Sequence, residues 1–311
     1  MKKIIALAVA SAFVAPVVAS EITLSGEIEY FYKSLDSGEA TLNDAETNIF
    51  ISGSTELNNG WTISGTIPMR LRDPDATDSD SQAEGTVEEG GSSLTINMAQ
   101  FGSLSLGDTS GAVDAFDDVA DVNAQGGGSV GHNDAAFTYT LPTMVENLTV
   151  KYSMSPAGEN SIAGDTADGK IKNDFSSLAA KYVYGDYSVY YGVEAFTTAA
   201  EDQDVTSLGL TATFGPIYVA YEAKELRDAA AATTDHRDYT GLAVTYALNS
   251  DVTLAASNYK VENGVNTVTD DITAYTVFYK AADGVKFYVE TAEDEKDSTT
   301  AATYAGVEYK F

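Results

Sequence analysis

The chain has 311 residues, no cysteine, 17 Lys+Arg against 47 Asp+Glu and a formal net charge of -30. The length suits one large domain or two ordinary ones, and the acid excess argues against a nucleic-acid partner, which needs a basic footprint, and against docking on an anionic membrane surface. Without cysteine there is no disulfide framework, thiol nucleophile or Cys-rich zinc site, and His132 and His236 are the only imidazoles.

Residues 1–19 read as a signal peptide, with Lys2 and Lys3 ahead of an apolar run from Ile4 to Val18 and a small-residue cleavage site at Val17-Val18-Ala19. Cleavage there leaves residues 20–311 as one exported domain. Beyond the signal no apolar run approaches the ~20 residues of a membrane helix. Period-two alternation dominates instead. Sixteen extended segments follow: 22–34, 46–57, 61–71, 92–100, 103–108, 134–141, 148–155 and 176–184, then 187–196, 205–214, 217–225, 237–247, 252–262, 271–281, 285–293 and 302–311. Tight turns such as Asn58-Asn59-Gly60, Gly185-Asp186, Gly215-Pro216 and Ala282-Asp283-Gly284 alternate with longer polar stretches such as 35–45, 72–91, 109–133, 156–175 and 226–236. That alternation is expected of an all-β, up-and-down antiparallel barrel with a short-turn end and a long-loop end.

One parity of these strands is uncharged, including Ile22, Leu24, Ile28 and Tyr30, then Leu148, Val150, Tyr152 and Met154, then Ile217, Val219 and Tyr221. The other parity carries Glu27, Glu29, Lys33, Arg70, Lys151, Lys181, Glu194, Glu222, Lys224, Glu290, Glu308 and Lys310. A water-soluble sandwich alternates in the same way. Sixteen strands with no spare apolar segment favour a transmembrane barrel, because a ring of that size leaves a lumen too wide for side chains to close. Val150 and Val219 should then face hydrocarbon near the midplane, and Lys151 and Ala220 water. Tyr182, Tyr184, Tyr187, Phe214, Tyr218, Tyr246, Tyr279, Phe287 and Phe311 should form a belt at the short-turn end.

Two motifs resemble the general diffusion porins of Gram-negative outer membranes, the sixteen-stranded trimeric kind. Phe101-Gly-Ser-Leu-Ser-Leu-Gly-Asp108 followed by Gly111-Ala112 is similar to that family's run from strand 5 into its third long loop. Tyr304-Ala-Gly-Val-Glu-Tyr-Lys-Phe311 is similar to its closing strand. The resemblance implies short periplasmic turns, long extracellular loops and a third loop folded into the pore. It also implies a homotrimer in outer-membrane lipid and lipopolysaccharide, Tyr309 and Phe311 as the signal read by the assembly machinery, and passage of small hydrophilic solutes and ions.

The third loop spans about Asp108 to His132. Within it, Ser110 to Val122 permits a short helix, with Val113, Phe116 and Ala120 on one face and Asp114, Asp118 and Asp121 on another. The resemblance makes Asp108, Asp114, Asp117, Asp118 and Asp121 the acidic side of a constriction; a solvated acidic surface helix is the alternative. Lys33, Arg70 and Arg72 are the candidate basic wall, with Lys151 and Lys181 further inward-facing candidates.

No phosphate-binding loop, HExxH or EF-hand occurs, and neither a cofactor, a metal centre nor an enzyme is expected. Asp73-Pro-Asp75 and Asp78 to Asp80 read as hydrated outer loop, with weak loop-bound calcium as the alternative. The function expected is a water-filled, cation-preferring diffusion channel. The rival is a secreted acidic all-β adhesin or calcium-binding surface protein.

Overall fold

The computed structural model describes residues 21–35, 38, 40–71, 87–89, 91–125, 134–155, 174–197, 202–228, 236–263, 267–296 and 301–311. The expected signal peptide, Arg72 and the acidic pieces between Asp73 and Glu84 lie outside them.

The chain forms one closed antiparallel sheet. Its first half comprises β1 (Glu21–Leu35), β2 (Ala40–Glu56), β3 (Thr62–Leu71), β4 (Val87–Glu89), β5 (Ser93–Asn97), β6 (Ser103–Ser110), β7 (Asp134–Thr140), β8 (Leu148–Ser155) and β9 (Asp174–Tyr184). The second half comprises β10 (Tyr187–Thr197), β11 (Asp202–Phe214), β12 (Ile217–Asp228), β13 (Arg237–Ala247), β14 (Val252–Asn263), β15 (Val268–Ala282), β16 (Val285–Asp294) and β17 (Ala302–Lys310). Both β4 and β5 pair with β3, so they are two parts of one stave and the barrel has sixteen. The break falls at Gly91, where an added Cβ would stand 2.0 Å from the Asp108 carboxylate.

Closure joins the first and last strands. β1 pairs with β17 from Glu27↔Lys310 to Leu35↔Ala302. Phe311 continues the ladder: its N–H donates to Gly26 O at 3.0 Å, and Gly26 N–H donates to Phe311 O at 2.9 Å. The Phe311 ring covers Gly26 and packs on Tyr309 with centroids 5.7 Å apart. At the same end, two-residue hairpins at Gly185-Asp186, Gly215-Pro216 and Asp283-Gly284 use glycine φ values of 56°, 59° and 76°, which tight hairpins need and side chains resist.

Burial runs opposite to that of a water-soluble protein. Along β16, Phe287 and Val289 are exposed outward while Glu290 is 1% exposed on the lumen side. The outward apolar band has an upper edge: Ile217, Val219 and Tyr221 on β12 give way to Glu225 and Arg227 on the same face, and Arg227 pairs with Asp238 at 2.6 Å. Strands of 11–15 residues therefore outrun the hydrocarbon, which an outer-membrane strand crosses in about ten residues.

Three expectations need correction. The 35–45 connection is mostly strand, since β1 runs to Leu35 and β2 starts at Ala40. Tyr218 does not join the outward aromatic belt: its hydroxyl turns into the lumen and donates to Val119 O at 2.9 Å. Ala220 does face the lumen, but it is 1% exposed beneath Ala120 rather than open to water.

The outward band generates a stability prediction. Val219→Arg and Val244→Arg, which alter residues paired across β12 and β13 between the aromatic belt and the charged rim, should each cost about 2–4 kcal/mol. Lys151→Gln, on the lumen side, should cost little. Urea titration of refolding into lipid vesicles measures the three side by side.

Candidate functional site

The segment after β6 does not leave the barrel. Ala112, Val113, Phe116 and Ala120 are buried against the inner wall. Ala112 N–H donates to Ser153 Oγ on β8 at 2.8 Å, and Val113 N–H to Ser177 Oγ on β9 at 3.1 Å. These serines satisfy donors that a first helical turn leaves without partners. One turn does form, with Ala115 N–H to Gly111 O at 3.0 Å and Asp117 N–H to Val113 O at 3.1 Å. The expected helix over 110–122 then fails. Asp118 adopts a left-handed φ of 57°, and its N–H goes instead to Glu222 Oε1 at 3.2 Å. The wall competes for the backbone and wins.

Beyond that break the loop is tied along the rest of the wall. Asn123 donates to Ser257 Oγ and accepts from Thr276 Oγ1. Ala124 N–H donates to Glu290 Oε2 at 2.6 Å, and Gln125 Nε2 to Glu29 Oε1 at 2.8 Å. From β8 to β1 the loop thus follows more than half of the inner circumference.

Asp118 and Asp121 sit on the loop's free side, exposed to the lumen, whereas Asp114 is half-buried and the Asp117 carboxylate oxygens are buried. Although Asp118 and Asp121 reach the lumen, the wall beside them strips part of the water from their carboxyls. This partial desolvation, reinforced by the Glu222, Asp121 and Asp114 carboxylates, pushes Asp118 up to about 6 despite an opposing pull from Lys224. Partial desolvation, then Glu290 and Glu222, also raise Asp121. Asp108 is not part of this group; it lies at the β4–β5 break, within electrostatic reach of Arg70.

The basic candidates divide. Arg70 on β3 is exposed and eight staves from β12, the far side of a sixteen-stave ring, so it faces the loop across the bore. Lys33 stands over the Tyr304 ring at 5.6 Å, near the loop's last tie. Lys151 and Lys181 lie on the loop's own side, at 5.3 and 5.9 Å from the Phe116 ring. Arg72 is outside the described residues.

Sequence reasoning placed Glu29, Glu194, Glu222, Lys224 and Glu290 on the polar parity without assigning them to the site. Lys224 feels Glu194, Glu222, Asp118 and Asp114 together. Their signal was slight: charges on the lumen parity of strands far apart in the chain. Among the described residues, no group of three or more His, Cys, Asp or Glu could hold a metal ion.

A family model of the Gram-negative porin matches residues 6–299. The chain belongs to the Gram-negative porins. It is therefore an outer-membrane barrel that forms a diffusion channel, and the adhesin reading is not favoured. Solved porins share its fold. OmpT of Vibrio cholerae in a trimer form matches with a TM-score of 0.68 at 16% identity, covering 94% of this chain and 100% of that one. OmpF of Salmonella typhi, in complex with daunomycin, gives 0.73 at 14% identity over 95% and 100%. An anion-selective porin from Comamonas acidovorans gives 0.71 at 11% identity over 94% and 100%. No curated protein sequence matches the chain.

The Asp118 environment generates a pH prediction for this porin. A raised carboxyl takes up its proton early, so the loop loses one negative charge as pH falls through about 6. Reversal potentials under a fixed potassium chloride gradient should shift toward anions between about pH 7 and pH 5. Asp118→Asn should show a smaller step, because Asp121 is raised as well.

Proposed function

We propose that this porin is a homotrimeric, cation-preferring channel for ions and small hydrophilic solutes, with the loop after β6 as its constriction. The carrying observation is the loop's attachment: it lies along the lumen wall with Asp118 and Asp121 open to the bore. Fixed charge there is negative. Asp114, Asp117, Asp118 and Asp121 with Glu29, Glu194, Glu222 and Glu290 make eight carboxylates against the five cations Lys33, Arg70, Lys151, Lys181 and Lys224. In a narrow bore with low-dielectric walls such an excess raises local cation concentration. Arg70 across the ring supplies the opposite pole of a transverse field. Fold alone does not decide ion preference, since the Comamonas acidovorans porin of like fold is anion-selective.

The trimer is supported by the trimer form of the similar Vibrio cholerae OmpT. Outer-membrane lipid and lipopolysaccharide would meet the outward band, and the assembly machinery would read Tyr309 and Phe311, both exposed outward at the closing seam.

Neutralising Asp114, Asp117, Asp118 and Asp121 together to Asn should move the reversal potential toward zero, most at low salt, where screening is weak. The control neutralises Asp186, Asp251 and Asp283 in the short turns, where Asp283 is 99% exposed. Planar-bilayer recording compares both with the parent; a shift in the control but not in the loop variant would reject the constriction.

A further inference from the structure

Two buried tyrosines on the lumen side repeat one construction. Tyr190 on β10 is 1% exposed and Tyr288 on β16 is 2% exposed. Each is paired with a glycine of the next stave, Tyr190↔Gly209 and Tyr288↔Gly306. Each ring occupies the space that glycine leaves. A Cβ on Gly209 would stand 1.9 Å from Tyr190 Cε1, and one on Gly306 would stand 2.3 Å from Tyr288 Cζ. Crossing that stave, each hydroxyl donates to a carboxylate on the one beyond: Tyr190 to Glu222 Oε1 on β12, and Tyr288 to Glu29 Oε1 on β1 at 2.8 Å. The same Oε1 atoms accept from the loop, from Asp118 N–H at 3.2 Å and from Gln125 Nε2 at 2.8 Å.

We infer that Tyr190 and Tyr288 are positioning residues of the constriction, two struts that lock Glu222 and Glu29, two of the three carboxylates to which the loop is tied. A glutamate side chain by itself has rotamer freedom, and a loop tied to it inherits that freedom. A buried ring wedged over a glycine removes it, because the hydroxyl that reaches the carboxylate has nowhere else to go. The struts differ in what they hold. The Tyr190 strut holds the backbone of Asp118, a charged residue of the bore; the Tyr288 strut holds Gln125, which is neutral.

This rests on the proposed reading of the loop as the constriction, and one recording series separates the two. Tyr190→Phe and Tyr288→Phe keep the rings and remove the hydroxyls; Gly209→Ala displaces the Tyr190 ring with its hydroxyl intact. Retention of the heat-modifiable trimer on gels checks assembly, and single-channel current with reversal potential reads the loop. All three variants should lose the steady single conductance level and flicker. Tyr190→Phe and Gly209→Ala should also shift the reversal potential toward zero, while Tyr288→Phe leaves it near the parent value. If Tyr190→Phe fails to assemble, Gly209→Ala and Tyr288→Phe carry the test alone. The four-fold Asp→Asn variant is recorded alongside. Should it shift selectivity while the strut variants record like the parent, the struts are overturned and the constriction stands. Should it shift nothing, the constriction reading itself falls.

Discussion

A backbone N–H or C=O in hydrocarbon has no water to turn to, so a strand that enters a bilayer must be paired on both edges. The seam between β1 and β17 is where this porin meets that demand, and everything else depends on it. Nine register pairs run along the seam, and the reciprocal bonds between Phe311 and Gly26 extend it to the last residue. The terminal ring needs the space over Gly26, where an added Cβ would also come within 2.8 Å of Asn48 O. The final phenylalanine is thus part of closure as well as a feature of the outer surface.

Closing sixteen staves makes a ring too wide to fill, and the chain responds by folding a piece of itself inward. The wall prepares for this with residues of unlike character. Small ones, such as Ala179, Ala220 and Gly192, make room for Phe116, Ala120 and Val113. Acids such as Glu222 and Glu290 accept the loop's N–H groups. Buried glutamates would be costly in an apolar core, yet here each has donors within reach and a water-filled bore beside it. The same carboxylates that fasten the loop add to the field in the bore, so architecture and ion preference share their residues.

The lumen also shows why the rule of apolar outward and polar inward cannot be applied residue by residue. Tyr190, Tyr259, Tyr288 and Tyr304 all sit on the inner parity and are nearly covered. Their rings support other lumen groups: Tyr304 lies under Lys33 and Tyr239, beside Tyr259, under Lys224. On the outer side the rule fails in the other direction, where Glu225, Arg227 and Lys260 mark the strands' exit from hydrocarbon.

Period-two patterning and turn chemistry were enough to read sixteen strands, their faces and the loop that carries the acids, because each depends only on residues close together in the chain. The apolar side of that loop was legible for the same reason: Val113, Phe116 and Ala120 are the residues that meet the wall. The helix expected there was not formed, since local propensity cannot know that Glu222, about a hundred residues later, will take the N–H of Asp118. Nor could spacing separate Arg70, across the bore, from Lys151 and Lys181, beneath the loop; that depends on how many staves lie between them around a closed ring. Local pattern determined which side of each strand meets water. Only closure, which sets every stave's angular place and height, decided which of those water-facing residues meet one another.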